Sequence, residues 1–421
     1  MWQSKFFKTQ AKRFRQETSG AVAIVFALSV VPMFMAAGVA VDMIRSSDAK
    51  TNLQTALDAG ALAAAAAGDL SDSEREDMAR RVFNANFDPI SGTTVTPVIS
   101  INNGVVRMSG HIDYPTAFMR IAGINTVDIN SSVTVNLPDS KKAEISLVLD
   151  YSGSMGEFTR GQRKYKVMRD SAIQMVEDLT ENGTSDKVRF GLVPFSHHVH
   201  VTLPGKYVVG ADPTEDWTGC TQDRNYPHNL TAKTPNVNDD ATKWGHPQAP
   251  EHSHSGCAPY AHNSLTVRPI SDDHAAIIEQ LEDMTPNAWT HIALGFSFGW
   301  HLLSPNAPFS DVAQYSDDET MKVIVLLTDG RQTEPAFGTG GSRNVHAGER
   351  NLEKLCENAK AKDVTVVTVA FDLQHQATED RLRDCSSDPD KYFFIADDGA
   401  ELAASFEQIK AELQQAIYIS K

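Results

Sequence analysis

The chain is short of cysteine and of positive charge, and several common site signatures are absent from it. Four cysteines occur in 421 residues and no two stand as a CxxC pair, which removes the spacing of zinc ribbons and thioredoxin-like redox sites. No HExxH and no glycine-rich loop with a following lysine is present. Gly338, Gly340 and Gly341 lack the strand, lysine and helix of a phosphate loop. Bases number 38 against 54 acids, a net charge of −16, and a body this acidic repels phosphate backbones, so nucleic acid is excluded as a partner. Charge of either sign is missing from residues 18–41, the one long apolar run.

What is present is unevenly placed. Residues 1–17 hold five bases (Lys5, Lys8, Lys12, Arg13, Arg15) and one acid, leaving 33 bases against 53 acids in the remainder. As a helix, 24 residues rise about 36 Å, enough to cross a hydrocarbon core of about 30 Å. Residues 18–44 therefore read as a transmembrane helix, and Pro32 within it does not prevent spanning. The basic lead before it sets the N-terminus in the cytoplasm and exports the rest. Gly38-Val39-Ala40 offers an alternative, a signal-peptidase site, against which the length of the apolar run argues. Residues 45–68 continue as a helical stalk ending in an alanine-rich stretch. Export also makes disulfides the better reading of the cysteines, as Cys220 with Cys257 and Cys356 with Cys385, over four buried free thiols. Each bridge would close a loop of about 30–40 residues, contributing about 3–4 kcal/mol.

The basic lead, SGAVAIVFAL, Pro32, AAGVAVD and LQTALDAGALAAAA together resemble the N-terminal region of TadE/TadG-like proteins of tight-adherence (Flp) pilus systems. In the pilin-like branch an acidic residue stands five positions after the processing glycine. Here Val25 follows Gly20 at that distance, so the resemblance implies the TadG-like branch and a retained anchor in the inner membrane.

Residues 69–138 read as a small α+β module. SEREDMARRVFNANF (73–87) is amphipathic, with Ser71 or Ser73 as N-cap. Alternating segments follow, VTPVISI, GVVRMSGHI and VDINSSVTVNL, with a hairpin turn at 102–104 and a helical turn in PTAFMRIAGI. A similar PT-x-F…GI segment is part of the TadG-like resemblance.

From residue 139 to 421 the pattern is alternating βα, the mark of a doubly wound α/β sheet. Strands are expected at 144–150, 187–195, 199–203, 322–328, 364–371 and 391–395, and helices at 163–180, 272–284, 290–303, 347–362, 376–385 and 398–417. EISLVLD is apolar without alternation, as a strand buried on both faces must be, and it ends in Asp150. Asp150-Tyr151-Ser152-Gly153-Ser154 puts oxygen-bearing side chains at alternate positions of a tight loop, able to converge on one hard cation. A second buried strand, KVIVLLTDG, ends in Asp329, and TPNAWTHIALGF places Thr290 before a helix. Thr285 is the alternative threonine, disfavoured by the Pro286 that follows it.

Asp, Ser, Ser, then Thr, then Asp is the order of the metal-ion-dependent adhesion site of von Willebrand factor A domains, which residues 141–416 resemble. The resemblance implies a mostly parallel Rossmann-like sheet. It also implies that Asp150, Ser152, Ser154, Thr290 and Asp329 hold magnesium, or manganese or calcium, with one position open to an acidic side chain of a protein partner. The expectation is a non-enzymatic, membrane-anchored pilus-assembly or adhesion protein. Residues 204–270, rich in Pro, Asn, His and Asp, interrupt the alternation as a stapled insertion near the surface. Two alternatives remain. One is an exported zinc hydrolase drawing on His246, His252 and His254 of the insertion with His197, His198 and His200, although a solvated polar loop is the plainer reading of these histidines. The other is a structural module with an idle metal site.

Overall fold

The computed structural model describes residues 20–67, 70–89, 93–102, 104–137, 141–180, 187–247 and 256–418. The basic lead 1–17, His252 and His254 lie outside them. The chain divides into two compact units, residues 1–138 and 139–421.

The first unit is organised by one continuous helix, α1 (Gly20–Ala66), which contains Pro32. Its apolar part exposes Val22, Phe26, Leu28, Phe34, Met43 and Ile44, and it is long and apolar enough to cross a membrane. The continuation beyond residue 45 is not a free stalk. Ala49, Leu53, Ala56, Leu57, Ala61 and Ala64 recur at helical spacing and are fully buried. They form the unit's core with Phe83, Met108 and Ile112. Small alanines admit close neighbours, and the two leucines fill the space between. α2 (Asp72–Asn86) starts with a capping box in which Ser71 and Glu74 satisfy each other's backbone N–H. An antiparallel meander completes the unit: β1 (Val98–Asn102), β2 (Val105–Pro115) and β3 (Thr126–Asn136). On β2, Val106, Met108, Ile112 and Tyr114 face inward while Arg107, His111 and Asp113 stay exposed, the period of two that the sequence carries.

The second unit runs β4 (Lys142–Asp150), α3 (Lys164–Thr180), β5 (Val188–Phe195), β6 (Val199–Pro204), β7 (Asp216–Thr221), β8 (Arg268–Ser271), α4 (His274–Asp283), α5 (Ile292–Leu303), β9 (Thr320–Thr328), α6 (Val345–Lys360), β10 (Val364–Phe371), α7 (Gln376–Cys385), β11 (Phe393–Ala396) and α8 (Gly399–Tyr418). The six-stranded sheet has the order β8-β5-β4-β9-β10-β11. Its strands are parallel except β8, which lies antiparallel on the β5 edge. Ile145, Leu147 and Leu149 of β4 meet Met168, Met175, Phe406 and Leu413 of α3 and α8 on one face. Val148 joins Phe298, Leu352 and Leu355 of α5 and α6 on the other. A strand clad on both faces cannot alternate, hence the unbroken apolar run.

Three expectations change. β6 does not join the main sheet but pairs with β7 inside the insertion, Val199 opposite Thr221. β8 was not anticipated, since Arg-Pro-Ile-Ser carries no strand signal; an edge strand needs only one ladder and tolerates proline. The insertion is more than a surface loop. Trp244 is buried, stacked 5.5 Å from Phe298 of α5, so the segment contributes to the core on that face. The disulfides Cys220–Cys257 and Cys356–Cys385 are both formed.

Candidate metal centre

β4 and β9 are neighbours in parallel register, Leu149 opposite Leu327, so both deliver their terminal aspartates beyond the same edge of the sheet. Ligands of open α/β sheets bind outside the carboxyl ends of the strands. Asp150 is wholly buried; its Oδ1 accepts the Ser152 N–H at 2.8 Å and its Oδ2 accepts the Thr328 hydroxyl at 2.6 Å. The first bond curls the loop back over the strand end, turning both serines toward β9. Ser152 Oγ lies 3.1 Å from Ser154 Oγ, and Ser154 Oγ donates to Asp329 Oδ1 at 2.6 Å.

The third segment is fastened to the serine loop by backbone bonds. Gly153 N–H donates to Ala288 O at 2.8 Å and Asn287 N–H to Tyr151 O at 2.7 Å. Thr290 is buried; its carbonyl accepts from the N–H groups of Thr333 and Glu334, and its own N–H donates to Thr333 Oγ1 at 2.9 Å. A side chain starting at Gly330 would meet Thr290 Oγ1 at 3.6 Å and Ser154 Oγ at 3.7 Å, so both hydroxyls reach the space that this glycine leaves free. Thr285 is exposed, and its N–H bonds Asn263 O instead. The five residues that the von Willebrand A resemblance implies thus lie together at this end of the sheet.

Electrostatics sharpen the arrangement. Burial and the charge of Asp329 push the Asp150 carboxyl up to about 7, against hydrogen bonds from Thr328 and Ser152 that lower it. Burial raises Asp329 too, opposed by Ser154 and Lys164. Two carboxylates held together away from water resist joint ionisation, which a cation would relieve.

One cation is built into the chain. Lys164, the first residue of α3, is buried with its Nζ 3.0 Å from both Asp329 Oδ2 and Asp372 Oδ2. Burial alone would lower its pKa, but the two aspartates outweigh that and raise it. Sequence reasoning missed Lys164, whose setting in RKYK looks like an ordinary solvated helix start. It also missed Thr328, for which the signal was present as the threonine preceding Asp329.

The donor set is two carboxylates and three hydroxyls, the hard oxygen ligands that magnesium or calcium takes. Among the described residues no group of three or more His, Cys, Asp or Glu is arranged to hold a metal ion. His197, His198 and His200, expected on or beside an edge strand, lie on or just before β6 and are all buried rather than solvated. Tyr260 explains part of this: its hydroxyl accepts the His198 N–H at 3.0 Å and lies 3.2 Å from His197 Nδ1, while His200 Nδ1 lies 2.8 Å from Thr266 Oγ1.

Comparison with known proteins follows the same division. Residues 20–67 match the Flp pilus-assembly TadE/G-like family, and residues 247–408 match the von Willebrand factor type A domain, a stretch that holds Thr290 and Asp329 and begins after the serine loop. No curated protein matches the chain. Similar solved structures include the pilus adhesin SpaC from Lactobacillus rhamnosus GG, with 14% identity, a TM-score of 0.39 and coverage of 77% of this chain and 34% of that one. The chain therefore spans about a third of SpaC. The vWF domain of the type V pili tip protein Mfa5 from Porphyromonas gingivalis shows 14% identity, a TM-score of 0.42 and coverage of 67% and 98%. The adhesive tip pilin GBS104 from Streptococcus agalactiae shows 10% identity, a TM-score of 0.40 and coverage of 65% and 100%. The chain joins an N-terminal TadE/G-like segment to a C-terminal von Willebrand factor type A domain.

Proposed function

We propose that the protein is a single-pass inner-membrane component of a Flp-type pilus system whose exported von Willebrand A domain binds a protein partner through a divalent metal, without catalysis. Asp150, Ser152, Ser154, Thr290 and Asp329 would hold the ion, magnesium in the first instance. A divalent cation there supplies positive charge at the domain surface, to which an acidic side chain of the partner can bind. The observation that carries this reading is the continuous set of oxygens from Ser152 through Ser154 to Asp329, contributed by segments 175 residues apart, with Thr290 facing the same glycine. The apolar part of α1 supports the anchor by its length and exposure, and the basic lead supports a cytoplasmic N-terminus.

The test is a magnesium titration of the full chain, read by thermal denaturation, beside Asp150→Asn, which keeps the side-chain shape. Wild type should melt higher with magnesium than with EDTA, and the variant should lose the difference. Envelope proteins retained by the wild type with magnesium should be released by EDTA and not captured by the variant. Equal melting of wild type in magnesium and EDTA would reduce the five residues to an idle site and end the adhesion reading.

A further inference from the structure

The connection between β2 and β3 is built differently from an ordinary hairpin loop. Asp42 of α1 is buried, and its carboxylate accepts three successive backbone N–H groups of that connection: Ala117 at 3.2 Å, Phe118 at 2.7 Å and Met119 at 2.7 Å. One helical turn earlier, Gly38 receives the Phe118 ring; a Cβ on Gly38 would stand 2.7 Å from the Phe118 Cβ. The base of the connection is closed by Thr116, which donates its N–H to Asn125 O and its hydroxyl to Ile124 O. Met119–Ala122 forms a short 3-10 turn that Gly123 ends with φ 86°. The segment is therefore pinned to α1 and folded on itself.

A segment so constrained has the means to hide its apolar side chains, yet it displays them. Ile121 is 72% exposed, Ile124 45% and Phe118 45%. They stand where Phe118 meets Gly38 inside the apolar run, about 6 Å along the helix from Asp42 at its end. The neighbouring helix surface is apolar and exposed as well, through Val41, Met43 and Ile44. Exposed Arg45 and Arg120 lie at this level, and arginines beside an apolar surface suit lipid phosphates.

We propose that residues 116–125 form a second membrane-contacting element, seating Phe118, Ile121 and Ile124 at the boundary between lipid headgroups and acyl chains beside α1. The occupant is the lipid surface because the apolar patch is continuous with the surface of a helix long enough to span. A single spanning helix leaves its rotation and tilt free. A side wedge tied through Asp42 fixes which face of the first unit sits against the bilayer. This rests on the spanning role of α1.

The four native cysteines are paired, so single cysteines at Ile121, Ile124, Val98 and Phe34 can be labelled selectively with an environment-sensitive fluorophore. The full chain is reconstituted in vesicles of phosphatidylethanolamine and phosphatidylglycerol. Quenching by lipid spin-labelled near the headgroup is compared with quenching by aqueous iodide. Probes at Ile121 and Ile124 should be quenched by the lipid at least about threefold more than the probe at exposed Val98 of β1, as for side chains at an interface. Iodide quenching at Ile121 equal to that at Val98 would overturn the wedge. So would shielding of Ile121 from both quenchers, which would mean a protein partner covers it. Phe34 separates the two readings. Lipid quenching there with none at Ile121 leaves the anchor standing and removes the wedge, while no lipid quenching at Phe34 removes both.

Discussion

At the scale of single residues the site is decided by charge. Lys164 pairs with Asp329, whose carboxylate is shut off from water, and with half-buried Asp372. Removing one partner of a buried ion pair leaves the other charge uncompensated, at a cost of about 3–5 kcal/mol. Lys164→Met should therefore lower the metal-free stability by about 3 kcal/mol, measured by urea denaturation in EDTA. Magnesium should recover part of that loss, because a cation held by Asp329 restores the missing charge. A loss unchanged by magnesium would separate Lys164 from the proposed metal site. His301 supplies a prediction in pH. It is fully buried in the second unit, and Arg224 donates to its Nε2 at 3.1 Å, so the ring is neutral. Burial and the Arg224 charge hold its pKa well below the ordinary value. In the unfolded chain the ring takes up a proton near pH 6.5. Stability from this residue is therefore intact above that pH and is lost as pH falls below it, by up to about 1.4 kcal/mol per unit. His301→Gln should flatten the decline in denaturation midpoint between pH 7 and 5 relative to wild type. Asp150, Ser152 and Ser154 stood out because a tight loop sets oxygen-bearing side chains at alternate positions, whereas Thr290 and Asp329 were added by the von Willebrand A resemblance. Lys164 did not stand out, because a lysine on a helix carries no mark of whether it points to water or to a buried carboxylate.

At the scale of elements, legibility followed burial. β4, β9 and β10 were read nearly to their ends because cladding on both faces demands unbroken apolar sequence. β8 was invisible because edge pairing asks little of its residues, and β6 was read as a strand while its partner β7, in Asp-Trp-Thr-Gly-Cys-Thr, carried no clean alternation. The helix most exposed to test is α5, which follows Thr290. Gly299 lets it approach the sheet so closely that a Cβ would lie 2.3 Å from Val148 Cγ2 and 3.3 Å from Ser146 Oγ. Gly299→Ala should cost about 1–3 kcal/mol by overpacking, seen as a lower denaturation midpoint. If α5 positions Thr290, the same variant should also shrink the magnesium-dependent shift in melting; an unchanged shift would show that the backbone bonds to Thr333 and Glu334 suffice. Cys356–Cys385 joins α6 to the end of α7 across 29 residues. Replacing both cysteines by serine should cost about 3 kcal/mol through loop entropy, read by the same denaturation.

At the scale of the whole molecule, the division at residue 138 separates two cores that share no side chain. The first is built on α1, so its stability is tied to the helix that also carries the apolar surface. Leu53 and Leu57 at its centre sit on the same continuous helix as Phe34, which makes the apolar run and the module one object rather than a domain on a flexible tether. The sequence showed the apolar run and the alanine-rich stretch but not that the second belongs to a core, since small residues at helical spacing serve a stalk and a packed interface equally well. The second unit has its own two-faced sheet and both disulfides. A chain of residues 139–421 should therefore fold without the first unit and melt in one transition. Its melting should rise with magnesium by the same amount as the matching transition of the full protein, because all five oxygen-bearing residues and Lys164 lie within it. Calorimetry of both forms checks this. A magnesium response present in the full chain and missing from residues 139–421 would mean that the five residues of the proposed metal site do not account for it.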